Sequence, residues 1–513
     1  MRIHSGLKQA PEKPLDALEN WFYSNVMNRF VRLLFALLFV TTFAAAQAAE
    51  RPNVILIFTD DQGWADLGAH GAVDDIRTPN LDRMAAEGVL MSDGYITAPQ
   101  CIPSRAGLMT GRYQTRFGVD DNAYAPLPLT ERTVADHLSD ASYETGMVGK
   151  WHLDPNWTSR EWVDRHYPGT ARKPAAFART APFHHRYQYF PGNRGFKEVF
   201  FGELNRYWAT YTLDGKPTGG PGTWIETEGD RLDVQTEAAL TFLRQTSREK
   251  PFFLYLAYFA PHVPLESSEK YLERFPGEMP ERRRYALAML SAVDDGVGRI
   301  LDLLAERGID EETLVFFISD NGAPLKIDKE DKPISFRGGA WDGSLNDPWV
   351  GEKGMLTEGG IRVPFLARWT GTLPAGEVYR EPVISLDATA TALAVAGVEP
   401  EVPLDGVNLI PYLTGAIDAP PHEALFWRFW SQSAIRMDRW KLIHFRGESR
   451  LYDLRSEAHE SRAVTDEHPA VARRLEARLR DWAAGLHRPG LDAHPGNGQE
   501  EAWFRHYLDW ETD

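Results

Sequence analysis

The residues with the most chemical potential lie at the ends of four apolar runs. NVILIFTDDQG carries Val54 to Phe58 into Asp60 and Asp61, and TLVFFISDNG carries Leu314 to Ile318 into Asp320 and Asn321. PFFLYLAYFAPH ends in His262, and YETGMVGKWHL ends in Lys150 and His152. Continuous β-rich runs of this kind read as strands buried on both faces. One terminal Asp or His alone reads as a cap or turn residue, whereas four runs that end alike point to a shared sheet edge where a ligand binds. Asp60, Asp61, Asp320 and Asn321 offer only hard oxygen donors, and three carboxylates brought together repel one another unless a cation neutralises them. Oxygen-only ligation points to Ca2+ or Mg2+ rather than zinc, with Ca2+ the easier choice for an exported chain. Arg105, Lys150, His152, His262 and Lys353, the last in GEKGMLTEGGIRVP, then form a positive shell around a small tetrahedral anion.

Cys101, in APQCIPSRAGLMTGR, is the single cysteine of 513 residues. MNRFVRLLFALLFVTTFAAAQAAE reads as a secretory signal over residues 27–48, with a small-residue cleavage site at Ala46–Gln47–Ala48, and residues 1–26 read as a mis-called upstream extension. The apolar run falls short of the roughly 20 residues a spanning helix needs, so no stable membrane anchor is expected. The mature chain is then periplasmic or secreted. An oxidising compartment uses cysteines in pairs, which leaves Cys101 as either an inert buried thiol or a reactive group. Ala106 to Met109 reads as a short helix closed by Gly111, placing Cys101 at or just before a helix N-terminus, where anions are favoured.

CIPSRAGLMTGR, together with DDQGWADLG, GKWHL, APH, SDNG and GEKGMLTEGGIRVP in that order, resembles the type I sulfatase family of the alkaline phosphatase superfamily. The resemblance spans residues 53 to about 370, and RWKLIHFRGESRLYDL resembles the family's C-terminal subdomain. It implies that a maturation enzyme reading Cys101, Pro103 and Arg105 oxidises the cysteine to formylglycine, an aldehyde whose hydrate attacks sulfur. It also implies a Ca2+ ion held by Asp60, Asp61, Asp320, Asn321 and residue 101. Lys150 and Lys353 would meet the sulfate oxygens, and Arg105 would hold the hydrate and the carboxylates. His262, helped by Lys353, would protonate the leaving alcohol, and His152 would deprotonate the second hydroxyl.

The elements that position these residues alternate between strand and helix. LDRMAAEGV, TVADHLSD, DVQTEAALTFLRQT and RRYALAMLSAVDDGVGRILDLLAERG are helical in pattern. The expected fold is α/β: a large mostly parallel or mixed sheet sandwiched by helices, spanning residues 50–410. A smaller C-terminal α+β subdomain over residues 411–513 is expected to hold an antiparallel sheet and one amphipathic helix. The region from Asp154 to Trp208 does not read as regular structure. It is expected to be a substrate-recognition insertion offering His184, His185, Arg186, Arg194, Arg206 and Trp208. A net charge of -17 argues against nucleic acid as a partner. Sixteen tryptophans suit a sulfated carbohydrate substrate, since flat rings stack on sugar faces. The rival expectations are an arylsulfatase of small esters, a phosphonate or phosphodiester hydrolase, and a non-catalytic glycan-binding protein with unconverted Cys101.

Overall fold

The structure, a computed structural model, describes residues 51–171, 173–336 and 339–510. The expected signal peptide and upstream extension lie outside the described residues. From Pro52 onward the chain forms one compact unit, so the expected boundary near residue 410 is a subdivision within it. Among the described residues no helix is long and apolar enough to cross a membrane.

Among the described residues sixteen strands follow in chain order: β1 Asn53–Asp60, β2 Val89–Met91, β3 Gly94–Tyr95, β4 Glu144–Gly149, β5 Glu198–Glu203, β6 Arg206–Ala209, β7 Thr223–Glu226 and β8 Phe252–Pro261. The remainder are β9 Thr313–Ser319, β10 Phe365–Arg368, β11 Glu377–Tyr379, β12 Val383–Ile384, β13 Leu425–Phe429, β14 Gln432–Met437, β15 Trp440–Phe445 and β16 Glu448–Asp453. Ten of them build a mixed sheet in the order β11-β2-β10-β9-β1-β8-β4-β5-β6-β7. The four apolar runs are its centre: β9, β1, β8 and β4 are adjacent and mutually parallel, with Ile57 level with Leu256 and Phe317. Their C-terminal ends therefore share one edge, as the sequence pattern predicts.

Side chains alternate across a strand, and β1 feeds two cores. Val54, Leu56 and Phe58 join the core that includes Ile102, Ala106, Leu108 and Met109. Ile55 and Ile57 join the core beneath the helices Arg231–Gln245 and Glu281–Glu306. Fully burying one such side chain contributes about 1.5–3 kcal/mol, so the strand ends are held by a rigid platform.

The helix after Gln100 runs Cys101–Thr110 and begins five residues earlier than the sequence reading expects. Pro103 is tolerated because it sits in the first turn, where no intrahelical partner exists for its missing N–H. Gln100 is extended, Gly111 closes the helix at φ 65, and all ten helical residues are buried. A second correction concerns residues 154–208, which are largely regular: helices Arg160–His166, Pro174–Thr180 and Phe183–Tyr187 precede β5 and β6. Trp162, Val163, Phe177 and Ala181 make a small core of their own there, and β5 pairs in parallel with β4. The C-terminal part matches expectation, with β13–β16 an antiparallel meander. One of its faces packs Ile435, Leu442 and Leu451 against the helix Pro469–Ala484, and Trp427, Phe429 and Phe445 join the main core.

Candidate active site

The four central strand ends bring their polar residues together. Asp60 ends β1, while Lys150, His262 and Asp320 directly follow β4, β8 and β9. The β1–β8 register shifts between Phe58 and Asp60, and Asp61 turns at φ 66. This break in strand alternation lets two consecutive carboxylates reach the same place. One ligand atom from each of Asp60, Asp61, Asp320 and Cys101 lies within 4.8 Å of the others. Asn321 completes the set: its Nδ2 donates to Asp61 Oδ1 at 2.6 Å, and its buried Oδ1 has no partner. An orphaned amide oxygen beside three buried carboxylates fits a hard divalent cation, and the donor set suits Ca2+ or Mg2+.

Cations ring this cluster. Lys150 Nζ donates to both Asp60 oxygens at 2.8 and 2.7 Å. Arg105, fully buried, donates from Nη2 to Asp320 Oδ2 at 2.8 Å and from Nη1 to Lys150 O and Tyr255 Oη, both at 3.2 Å. Lys353 Nζ bonds Asp61 Oδ1 and lies 3.2 Å from Cys101 Sγ. His262 keeps a quarter of its side chain exposed, with Nε2 3.8 Å from Asp61 Oδ2 and Nδ1 2.5 Å from Val263 O. His152 adopts φ 58, and its buried Nδ1 has no partner.

The charges are unevenly balanced. Burial pushes Asp60 up, but Lys150, His262, Arg105 and Lys353 outweigh it and hold the carboxyl well below its usual range. Asp320 goes the other way, to about 7, because burial and the Asp60 charge exceed what Arg105 returns. Burial, then Asp320, pushes the Cys101 thiol up to about 12. Burial lowers both histidines, His262 to about 4 against the pull of Asp60 and His152 well below its usual value with Lys150 adding to the effect.

A family model described as Sulfatase matches residues 52–398. The chain belongs to the sulfatase family. A second model, N-sulphoglucosamine sulphohydrolase C-terminal, matches residues 349–484 and so takes in both Lys353 and the β13–β16 sheet. N-acetylgalactosamine-6-sulfatase of Homo sapiens is 34% identical over 398 residues, covering 72% of this chain and 67% of its own. Arylsulfatase A of Homo sapiens is 31% identical over 453 residues, covering 83% and 82%. Among solved structures, Ps i-CgsB in complex with k-i-k-neocarrahexaose matches with a TM-score of 0.69 and 28% identity, over 89% of this chain and 97% of that one. The chain is thus a sulfuric ester hydrolase.

The expected substrate residues of this sulfatase do not form one group. His184 and His185 are exposed and stack edge to face at 4.5 Å, and His185 also bonds Tyr167. Arg206 is exposed and lies over Trp224. Arg186 lies over Phe177, with its Nε buried and unpartnered. Two of the expected residues are buried. Arg194 is 3% exposed and its guanidinium donates to the carbonyls of Leu127, Pro128 and Glu131, so its donors serve the fold. Trp208 is buried among Phe183, Tyr187, Phe190 and Trp224, where it packs. The sequence reading also misses residues that matter here. Tyr255 braces Arg105 from inside a strand that reads as uniformly apolar. Phe259 lies 4.7 Å beneath Lys150 Nζ, and Arg231 donates to the backbone carbonyl of His262 at 3.1 Å. An aromatic in an apolar run and one arginine opening a helix carry no distinguishing sequence signal.

Proposed function

We propose that this sulfatase is exported, is matured at Cys101 to formylglycine, and hydrolyses sulfate esters carried by a carbohydrate. The observation that carries the reading is the position of residue 101, at the first turn of a buried helix and 3.2 Å from Lys353 Nζ, among three strand-end carboxylates. Asp60, Asp61, Asp320, Asn321 and residue 101 would hold Ca2+, which when bound lowers the pKa of a ligated hydroxyl and neutralises sulfate charge. A formylglycine hydrate at residue 101 would supply two hydroxyls, one as the nucleophile toward sulfur and one as the proton donor for sulfate release.

The remaining roles belong to side chains already in place. Lys150 and Lys353 meet the sulfate oxygens where negative charge develops. Arg105 fixes the carboxylates through its planar fork, which a flexible ammonium would do less well. With its Nδ1–H committed to Val263 O, His262 donates from Nε2 to the leaving alcohol, and the negative charge of the bound ester favours the protonated ring. His152 accepts the hydroxyl proton at its unpartnered Nδ1. The carbohydrate assignment follows the relatives, whose names include an N-acetylgalactosamine-6-sulfatase and a complex with k-i-k-neocarrahexaose.

The test is direct. The enzyme is expressed with a formylglycine-generating host, and the peptide containing residue 101 is weighed for loss of the thiol. Sulfate release is then followed from 4-nitrophenyl sulfate and from a panel of sulfated mono- and oligosaccharides, with matched phosphonate and phosphodiester esters alongside. Preference for a sulfated sugar supports the reading, whereas preference for phosphorus esters or an unconverted Cys101 in the active enzyme overturns it.

A further inference from the structure

The helix that begins at Cys101 is held at its first turn from outside. Gln100 makes no side-chain cap on its own helix, and the N–H of Ile102 donates instead to Asn122 Oδ1 at 3.0 Å. The Gln100 side chain turns the other way, its Oε1 accepting from Asn122 N at 3.0 Å. Asn122 thus bonds the residues on both sides of Cys101, through its side chain to position 102 and through its backbone to position 100. Free N–H groups in a first turn are ordinarily met by the cap residue itself; here the partner lies 20 residues further along the chain. The approach to the helix is fixed as well. Pro99 O accepts from Gly354 N at 2.9 Å, next to the lysine whose Nζ lies 3.2 Å from Cys101 Sγ.

Asn122 can hold another element because it is itself held. It opens the short helical turn Asn122–Tyr124, which Asp121 caps by accepting from Ala123 N. The same carboxylate accepts from Trp430 Nε1 at 2.8 Å and lies 3.4 Å from His494 Nε2. One residue earlier, buried Asp120 pairs with the fully buried Arg428 of β13 at 3.0 Å. Asp120 and Asp121 are therefore pinned to the C-terminal part of the chain, and Asn122 passes that fixed position on to residues 100 and 102. Position matters here, since a misplacement of about 1 Å at the reacting atoms can cost on the order of 10²-fold in rate. We infer that Asn122 is a positioning residue for the nucleophile: with Gln100 it clamps residue 101 against Lys150 and Lys353, acting through the backbone on either side of residue 101 and not on the ester. The inference rests on the reading of residue 101 as the nucleophile and deepens it.

The test uses the matured full-length enzyme. The formylglycine fraction of every variant is measured by mass, and rates on 4-nitrophenyl sulfate are expressed per converted, folded molecule. Asn122→Ala removes the acceptor of Ile102 N and is expected to lower kcat about ten-fold with KM within about two-fold, the size of one hydrogen bond lost from the aligned state. Asn122→Asp keeps an acceptor there and is expected to hold kcat within about three-fold of the parent. Gln100→Met releases the other arm, serves where Asn122→Ala fails to fold, and is expected to lower kcat by about three- to ten-fold. The double variant should lose clearly less than the product of the two single losses, because the two arms act as one unit. Unchanged kcat in Asn122→Ala with a lower melting temperature would make the residue a helix cap alone and overturn the inference. Equal losses in the Asp and Ala variants, a loss carried by KM, or independent losses in the double variant would overturn it too. Cys101→Ala separates the two levels: if it is inactive while Asn122→Ala keeps full kcat, only the clamp falls, whereas an active Cys101→Ala removes the nucleophile reading and the clamp with it.

Discussion

A buried thiol beside carboxylates is a poor nucleophile, because burial and Asp320 hold the proton on Cys101 up to about 12. Its surroundings are nevertheless built for displacement at an anion, with Lys150 and Lys353 on either side of the carboxylate cluster. Cys101→Ala should therefore leave folding intact and lower kcat by at least about 10³-fold, the order of loss when a nucleophile is removed. Steady-state assays with circular dichroism as the folding control check this, and retention of full activity would remove residue 101 from the mechanism. Metal dependence can be read separately from rate. If Asp60, Asp61 and Asp320 hold the proposed Ca2+, chelation would strip them of its charge, so it should both stop turnover and lower thermal stability. Restoring Ca2+ to about 100 times its Kd should return about 2.7 kcal/mol. Calorimetry with and without Ca2+ tests the second effect independently of activity, and rescue by zinc but not Ca2+ would contradict the oxygen-ligand reading.

At the scale of elements, a loop is fastened to a helix by a histidine that titrates. His422, just before β13, places Nε2 2.9 Å from both oxygens of Asp387 in the first turn of the helix Leu386–Val395. Burial lowers the imidazole, but Asp387 outweighs it and lifts the pKa above its ordinary value of 6.5. A histidine raised in the folded state binds its proton more tightly there than when unfolded. The resulting stability is fully present below about pH 6.5 and is lost as pH rises through the folded value. Denaturant midpoints should fall across that window in the parent and stay flatter in His422→Gln; parallel profiles would remove the ion pair from the account. The same scale shows what the sequence makes legible. The central strands are readable because a strand buried on both faces is continuously apolar, and the polar residue that stops each run becomes a site residue. The helix at Cys101 begins earlier than it reads because Gln100 makes no side-chain cap and Pro103 looks like a break. Residues 154–208 hide their order because aromatic packing in a small core follows neither helical nor strand periodicity. Arg231 is illegible for a simpler reason: a single arginine opening a helix is indistinguishable from a solvated one until its bonds to the carbonyls of His262 and Pro264 are seen.

Across the whole molecule, the C-terminal sheet is tied to the catalytic part by buried charge. Lys441 on β15 lies 2.8 Å from both Glu358 and Glu460, and all three side chains are completely buried. Glu358 also accepts from Arg362 and Tyr95, and its backbone N–H donates to Glu460 at 2.6 Å. It stands five residues after Lys353, so the cluster anchors the loop that carries that lysine. Burial raises both carboxyls, yet Lys441, Arg362 and Arg436 hold Glu358 low, while burial and the Glu358 charge keep Glu460 high. Removing Lys441 leaves Glu358 its Arg362 partner but strips the buried Glu460 of its cation. Lys441→Met should cost about 3–5 kcal/mol, the order for breaking a buried ion pair from one side. It should appear as a lower urea midpoint with an unchanged m-value. Because the loop of Lys353 hangs from this cluster, kcat on 4-nitrophenyl sulfate should fall as well, even though Lys441 touches no substrate group. The double variant Lys441→Met with Glu460→Gln removes the cation together with one acid and should recover part of both losses. A double-mutant cycle over Lys441, Glu460 and both readouts decides the matter: additivity within about 0.5 kcal/mol would mean that the cluster transmits nothing from the C-terminal sheet to the site.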